Sequence, residues 1–274
     1  MRTEEKGIVY IRISEALESM EKCFLCQLEE RLEQRYVNTY LGELVMDPRA
    51  REKIVESRGF CNYHSYRMLA SASNPASEDG LGLALVLKSV TEQLLNDVTR
   101  QKKRKSPALR LWSLHLKSST RSINVKELLT PVSNEAKCPA CDHISEMMRI
   151  YVEEFVREIG QDKHVQELYD KSEGMCIPHY VTSLYIASSK LEENAVPVVE
   201  RLVEKQIRVL KKLQIDLSSY IEKQDYRFAG KEQVHAEKTV GQSLTRIVGK
   251  RGIDRTLVKL MNGKGRTLHE TGLG

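Results

Sequence analysis

All six cysteines of this 274-residue chain fall into one pattern that occurs twice. The first copy is Cys23-Phe24-Leu25-Cys26, then Gly59-Phe60-Cys61-Asn62-Tyr63-His64. The second is Cys138-Pro139-Ala140-Cys141, then Gly174-Met175-Cys176-Ile177-Pro178-His179. Both read C-x2-C-x34-C-x2-H, and each Cys and His recurs 115 positions later. The match extends beyond these residues. Without gaps, residues 22–73 share 15 identities in 52 positions with residues 137–188. Chance supplies about three at a typical residue frequency near 6%. The chain therefore contains a duplicated module.

Two residues between ligands let one short turn aim two side chains at a single ion. A CxxC with a CxxH supplies four soft-to-borderline donors suited to tetrahedral geometry. Both half-sites fall at expected helix N-termini, where free N–H groups and the positive dipole end stabilise thiolates. Since each copy contains a complete Cys3His set, the expected grouping is Cys23, Cys26, Cys61 and His64 on one ion. Cys138, Cys141, Cys176 and His179 would take the other. Two structural zinc ions are the leading expectation; iron–sulfur clusters, thiol–disulfide chemistry and buried unligated cysteines are the alternatives. Four protein ligands leave no open coordination position, so the site argues against a zinc hydrolase. The chain also lacks GxxxxGK[ST], GxGxxG after a strand, HExxH and GxSxG. Carboxylate pairs such as Glu29/Glu30 and Glu153/Glu154 are too common in an acidic helical sequence to single out.

Aromatic residues make up 6% of the chain, with 7 Pro and 15 Gly, too lean in turn residues for an all-β fold. The expectation is all-α: two tandem helical modules of about four helices each, each stapled by a Cys3His site, plus a basic C-terminal tail. In the first copy Leu28, Leu32, Tyr36 and Tyr40 share one face of a helix over Cys26–Leu41, with Gly42 as its stop. Asp47-Pro48 reads as an N-cap with Pro at the first helical position. A short helix follows to Gly59, and a third runs from His64 through Ala72. Asp162, Gly174 and His179 take the same places in the second copy. Longer helices over Leu83–Thr99 and Glu192–Lys223 close the modules. The second carries a stripe of Val199, Leu202, Val203, Ile207, Leu210, Leu213, Leu217 and Ile221. Core packing is its ordinary reading and pairing with a partner protein the alternative.

The net charge of +5 conceals an asymmetry. Residues 100–126 carry nine Lys/Arg and no Asp or Glu, and residues 227–274 carry a net +6, leaving −10 on the rest. This divides the chain into a first module (1–99), a basic linker (100–127), a second module (128–228) and a basic, Gly-rich tail (229–274). Lys102, Lys103, Arg104 and Lys105 in the linker, with Lys250, Arg251 and Arg255 in the tail, are candidate contacts for nucleic acid or a ribonucleoprotein. A solvated linker and a solubilising tail are the plainer readings. His115, His143, His164, His235 and His269 match no ligand spacing. The longest apolar run, near Leu81–Leu87, is far short of the roughly 18–20 residues of a membrane span. Met1–Lys6 contains no apolar stretch. A cytoplasmic protein is expected, in which cysteines serve metal or redox chemistry before disulfides.

The two CxxC…GFCxxH modules, with Asp225-Tyr226-Arg227-Phe228 near the end, resemble an uncharacterised prokaryotic family of unknown function over about residues 8–250. Met175 stands where that family prefers Phe, which leaves the ligands intact. The resemblance implies no enzyme activity.

Overall fold

A computed structural model of the chain describes residues 6–19, 23–73, 80–104, 138–191, 195–223 and 236–249. Among these residues there are ten α-helices, one π-helical turn and no strand. The helices are α1 (Ile8–Glu18), α2 (Phe24–Thr39), α3 (Pro48–Glu56), α4 (Asn62–Ala72) and α5 (Gly80–Arg104). They continue with α6 (Pro139–Gln161), α7 (Lys163–Lys171), α8 (Ile177–Lys190), α9 (Ala195–Lys223) and α10 (Ala236–Val248). Lys105, Lys250, Arg251, Arg255 and the Asp225–Phe228 motif lie outside the described residues, as does His115.

The duplication reaches further in structure than in sequence identity. Helices α2, α3, α4 and α5 begin at Phe24, Pro48, Asn62 and Gly80; α6 to α9 begin 115 residues later, at Pro139, Lys163, Ile177 and Ala195. The start signals explain the register. Asp47 caps α3 by accepting from the Ala50 N–H, and Asp162 caps α7 by accepting from His164 and Val165. Cys61 and Cys176 occupy the N-cap positions of α4 and α8 in extended backbone. Each copy thus supplies the four expected helices. Helices α1 and α10 flank them. Residues Tyr10, Ile13 and Leu17, buried on one face of α1, carry an apolar spacing that the sequence reading passed over.

Gly42 does not stop α2. The chain continues through a π-helical turn, Tyr40–Leu44. A helical glycine costs about 1 kcal/mol, which the burial of Tyr40, Leu41 and Val45 on either side outweighs.

Two compact units emerge. One comprises Met1–Leu32 with Ile144–Gly274, the other Glu33–His143. Each draws on both sequence copies, so compactness follows a different division from the repeat. In the first unit, Phe24, Phe155 and Tyr169 form an aromatic cluster with centroid separations of 4.7, 5.3 and 6.3 Å, surrounded by Ile13, Leu17, Leu25, Ile144 and Leu202. In the second, Tyr40 meets Phe60 edge-on at 5.2 Å within a core of Val37, Leu41, Ile54, Met68 and Val86. Cys138, Ala140 and Cys141 from the start of α6 complete that core.

Helix α9 packs against α8 and α10. Only the first part of its apolar stripe is covered: Leu202 is buried and Val199 packs partly buried against the core, whereas Ile207, Leu210 and Ile221 are exposed.

Candidate metal centres

The eight Cys and His residues form two tight groups of four, but not in the expected grouping. Cys23 and Cys26 meet Cys176 and His179; Cys138 and Cys141 meet Cys61 and His64. Each group joins the CxxC of one copy to the CxxH of the other. The within-copy assignment is corrected, and the reason lies in α2. A helix lifts the chain about 1.5 Å per residue. Glu33, the carboxylate that receives His64, is seven residues beyond Cys26 on α2. The first copy's histidine therefore meets the middle of that helix rather than its cysteine-bearing start. Each group of four still lies wholly within one compact unit.

In the first centre, Cys26 Sγ is 3.6 Å from Cys176 Sγ, and His179 Nδ1 is 3.5, 3.4 and 3.2 Å from the sulfurs of Cys23, Cys26 and Cys176. In the second, Cys61 Sγ is 3.7 Å from Cys141 Sγ. His64 Nδ1 there lies 3.3, 3.4 and 3.2 Å from the sulfurs of Cys61, Cys138 and Cys141. A tetrahedral ion bonded to sulfur at about 2.3 Å and nitrogen at about 2.0–2.1 Å needs edges of about 3.75 Å between sulfurs and 3.55 Å between sulfur and nitrogen. The donors thus fit one ion apiece. Seven of the eight are buried and Cys61 is half-buried; all six cysteines are free thiols.

Local backbone brings the CxxH half-sites into place. Gly59 and Gly174, two residues before Cys61 and Cys176, have φ of 102° and 74°. This left-handed conformation turns the chain out of the preceding short helix and into the N-cap cysteine. At Gly174 space also matters, because a Cβ there would lie 2.6 Å from Val209 Cγ2.

With Nδ1 facing the sulfurs, each imidazole turns Nε2 toward a carboxylate. His64 Nε2 is 3.3 Å from Glu33 Oε1 and His179 Nε2 is 3.9 Å from Glu29 Oε2. Glu33 also accepts from the Tyr63 hydroxyl at 2.9 Å and pairs with Arg67 Nε at 3.2 Å. A carboxylate behind a ligating histidine fixes its tautomer and raises its basicity. The sequence reading set Glu29 aside as uninformative. Its position three residues after Cys26 on a helix was the available signal; Glu33 had none, because its partner is distant in the chain. The two carboxylates break the repeat, since Ile144 and Met148 stand at the corresponding positions.

In the metal-free donor sets, cysteines and histidines support one another's charged forms. Hydrogen bonds from Cys138 and Cys141 hold the Cys61 thiol well below its usual range despite burial. Burial pushes Cys23 up, but hydrogen bonds from Cys176 and Cys26 and the charge of His179 outweigh it and hold this thiol low as well. For His64, burial opposes charge, yet hydrogen bonds to Cys138, Cys61 and Glu33 push its pKa up to about 10. A divalent cation would displace the imidazole proton and take over stabilisation of the thiolates, the behaviour of a metal-ligating donor set.

Of the nucleic-acid candidates, Lys105, Lys250, Arg251 and Arg255 lie outside the described residues. Lys102, Lys103 and Arg104 form the last residues of α5. His143 packs against Tyr36 at 5.3 Å and belongs to neither group of four. No helix among the described residues is long and apolar enough to cross a membrane.

Comparison with curated proteins and with solved structures finds no match. The model of one protein family, described as a family of unknown function (DUF6062), matches residues 4–253. With nearly the whole chain covered, and with the doubled half-sites inside the matched span, the chain belongs to this family of unknown function.

Proposed function

We propose that each Cys3His group holds one zinc ion as a closed structural centre, and that the protein is a non-catalytic binding factor for nucleic acid or a ribonucleoprotein. The observation that carries the metal reading is the pair of four-donor groups, each with all donor atoms within 4.8 Å of one another and with closest approaches of 3.2–3.7 Å. Sulfurs this close leave room for one ion, not for a cluster in which several irons and sulfides separate the thiolates. Four protein donors also exclude a bound water from a tetrahedral ion, so the metal would serve the fold. The nucleic-acid reading is supported by the charge pattern: +9 over residues 100–126 and +6 over residues 227–274 beside a −10 remainder. Such concentrated positive charge attracts polyanions.

Elemental analysis and an absorbance spectrum of anaerobically purified protein test the first part. About two zinc ions per chain without visible absorbance are expected. Iron with a broad visible band would establish the cluster alternative instead. Binding to RNA and DNA across a salt series tests the second part. Affinity that falls steeply with salt is expected; negligible affinity at low salt overturns it.

One observation favours a second reading, an adaptor that docks a protein on α9. Ile207, Leu210, Ile215 and Ile221 are exposed along this 29-residue helix. Sedimentation and co-purification would separate the readings, a monomer with no companion protein counting against the adaptor.

A further inference from the structure

Beside the first metal centre lies a cleft of about 650 Å³, within the range of small-ligand sites. Cys23 and Cys26 form part of one wall. The loop from α7 to α8, the middle of α9 and the last turns of α10 form the others. Five Lys and Arg side chains and three carboxylates line it. That excess of two positive charges outweighs the one net negative charge that three thiolates and a divalent ion leave. We propose that this cleft binds a phosphate-bearing anion of the di- or triphosphate class.

The duplication supplies an internal control. On α9 the cleft is lined by Lys205, Arg208 and Lys212. The corresponding positions of α5 hold Val90, Gln93 and Asp97, and Lys171 corresponds to Glu56. The same closing helix therefore folds against the same short helix without these cations; α5 packs on both α3 and α4. The basic wall is an addition to the second copy, not a requirement of the architecture.

Four of the five cations divide into two sets. Lys205 is buried, and its Nζ bonds the carbonyl oxygens of Asp170 at 2.8 Å and of Ser172. Arg246 reaches the Gly174 carbonyl at 3.2 Å. These two hold the α7–α8 loop. Arg208 and Lys212 are exposed and face the cleft from one side of α9. Asp170 is already paired with Arg201 at 2.6 Å, which leaves Arg208 at 4.0 Å from it. Lys212 meets Glu173 in an exposed bridge of 3.1 Å, which contributes little and yields to a stronger anion. A guanidinium four residues from an ammonium on one helix face suits adjacent phosphates. Val209 and Leu213 add apolar surface between them.

The inference does not rest on the nucleic-acid reading, whose named contacts in the linker and tail lie outside the cleft. Calorimetric titration of the full, metal-replete chain tests it, with inorganic pyrophosphate, ATP, and RNA oligomers bearing a 5′-triphosphate or a 5′-hydroxyl. Saturable pyrophosphate binding is expected at physiological salt. It should weaken about tenfold or more in an R208Q/K212Q double variant, the scale of one or two charge-assisted hydrogen bonds. Lys88→Gln, at an exposed site on α5, should leave it unchanged. Equal affinity for ATP and 5′-triphosphate RNA would identify free polyphosphate chemistry as sufficient. Preference for the RNA end would identify a phosphorylated terminus as the source. Absence of saturable binding, or equal loss in K88Q, overturns the proposal.

Discussion

His64 turns Nε2 toward Glu33 Oε1 at 3.3 Å while its Nδ1 faces three sulfurs, and both residues are buried. The pair orients the second metal centre from behind. Glu33→Gln keeps the shape but removes the charge and, with it, part of the ligand's basicity. Metal affinity of the second centre should fall about 10–100-fold, read by competition with a chromophoric chelator. Glu29→Gln should cost the first centre less, because its carboxylate is 3.9 Å from His179. Equal effects at the two centres would contradict the asymmetry.

The same histidine sets opposite pH trends with and without metal. In the metal-free chain the His64 pKa is raised from 6.5 to about 10. Its contribution to stability is fully present below the unfolded value and is lost as pH rises through the folded one. Thermal midpoints of chelated protein should therefore decline as pH is raised from 6.5 toward 10. Metal binding requires deprotonated ligands, so metal affinity should instead climb with pH, by about tenfold per unit for each proton displaced. A metal affinity that fails to climb with pH would show that metal displaces no proton from these donors.

Arg58 and Asp97 form an ion pair at 2.7 Å, with side chains only 19% and 9% exposed. At the corresponding positions Glu173 and Lys212 make the bridge with the charges exchanged, at 3.1 Å. Arg58→Glu should destabilise the protein by about 3 kcal/mol, because Asp97 is left without its cation beside a like charge. An R58E/D97K double variant, which copies the second repeat, should recover at least half of that loss. Denaturant melts of the four proteins of this cycle measure the coupling. Additive losses would mean that the bridge is incidental.

Because each donor group joins the two sequence copies, a metal ion bound in it would tie them together. A protease site inserted between residues 105 and 137 would cut the chain without removing a ligand. The two fragments should co-elute in gel filtration while metal is bound. After chelation they should separate, or unfold and aggregate. Fragments that part while both retain metal would restore the within-copy grouping.

The fold was legible wherever it depended on local chemistry. Asp47 and Asp162 cap their helices, Pro48 and Pro178 sit in first turns, and the 115-residue offset places four helix starts in register. Glycine at 59 and 174 marks the left-handed turn before each N-cap cysteine. Gly42 misled, because burial of its neighbours outweighed a local preference. The stripe on α9 also overstated its burial: periodicity records a face, not what covers it.

The sequence by itself determined the repeat, the helical class and the eight donor residues, since each of these rests on short-range spacing. Tertiary structure decided which half-sites come together, which carboxylates stand behind the histidines, and where the basic face of α9 meets a cleft. A CxxC holds no information about its partner. Two identical CxxH motifs satisfy it equally, and the choice belongs to the rigid helix between them, which carries the chain away from its own first pair of cysteines.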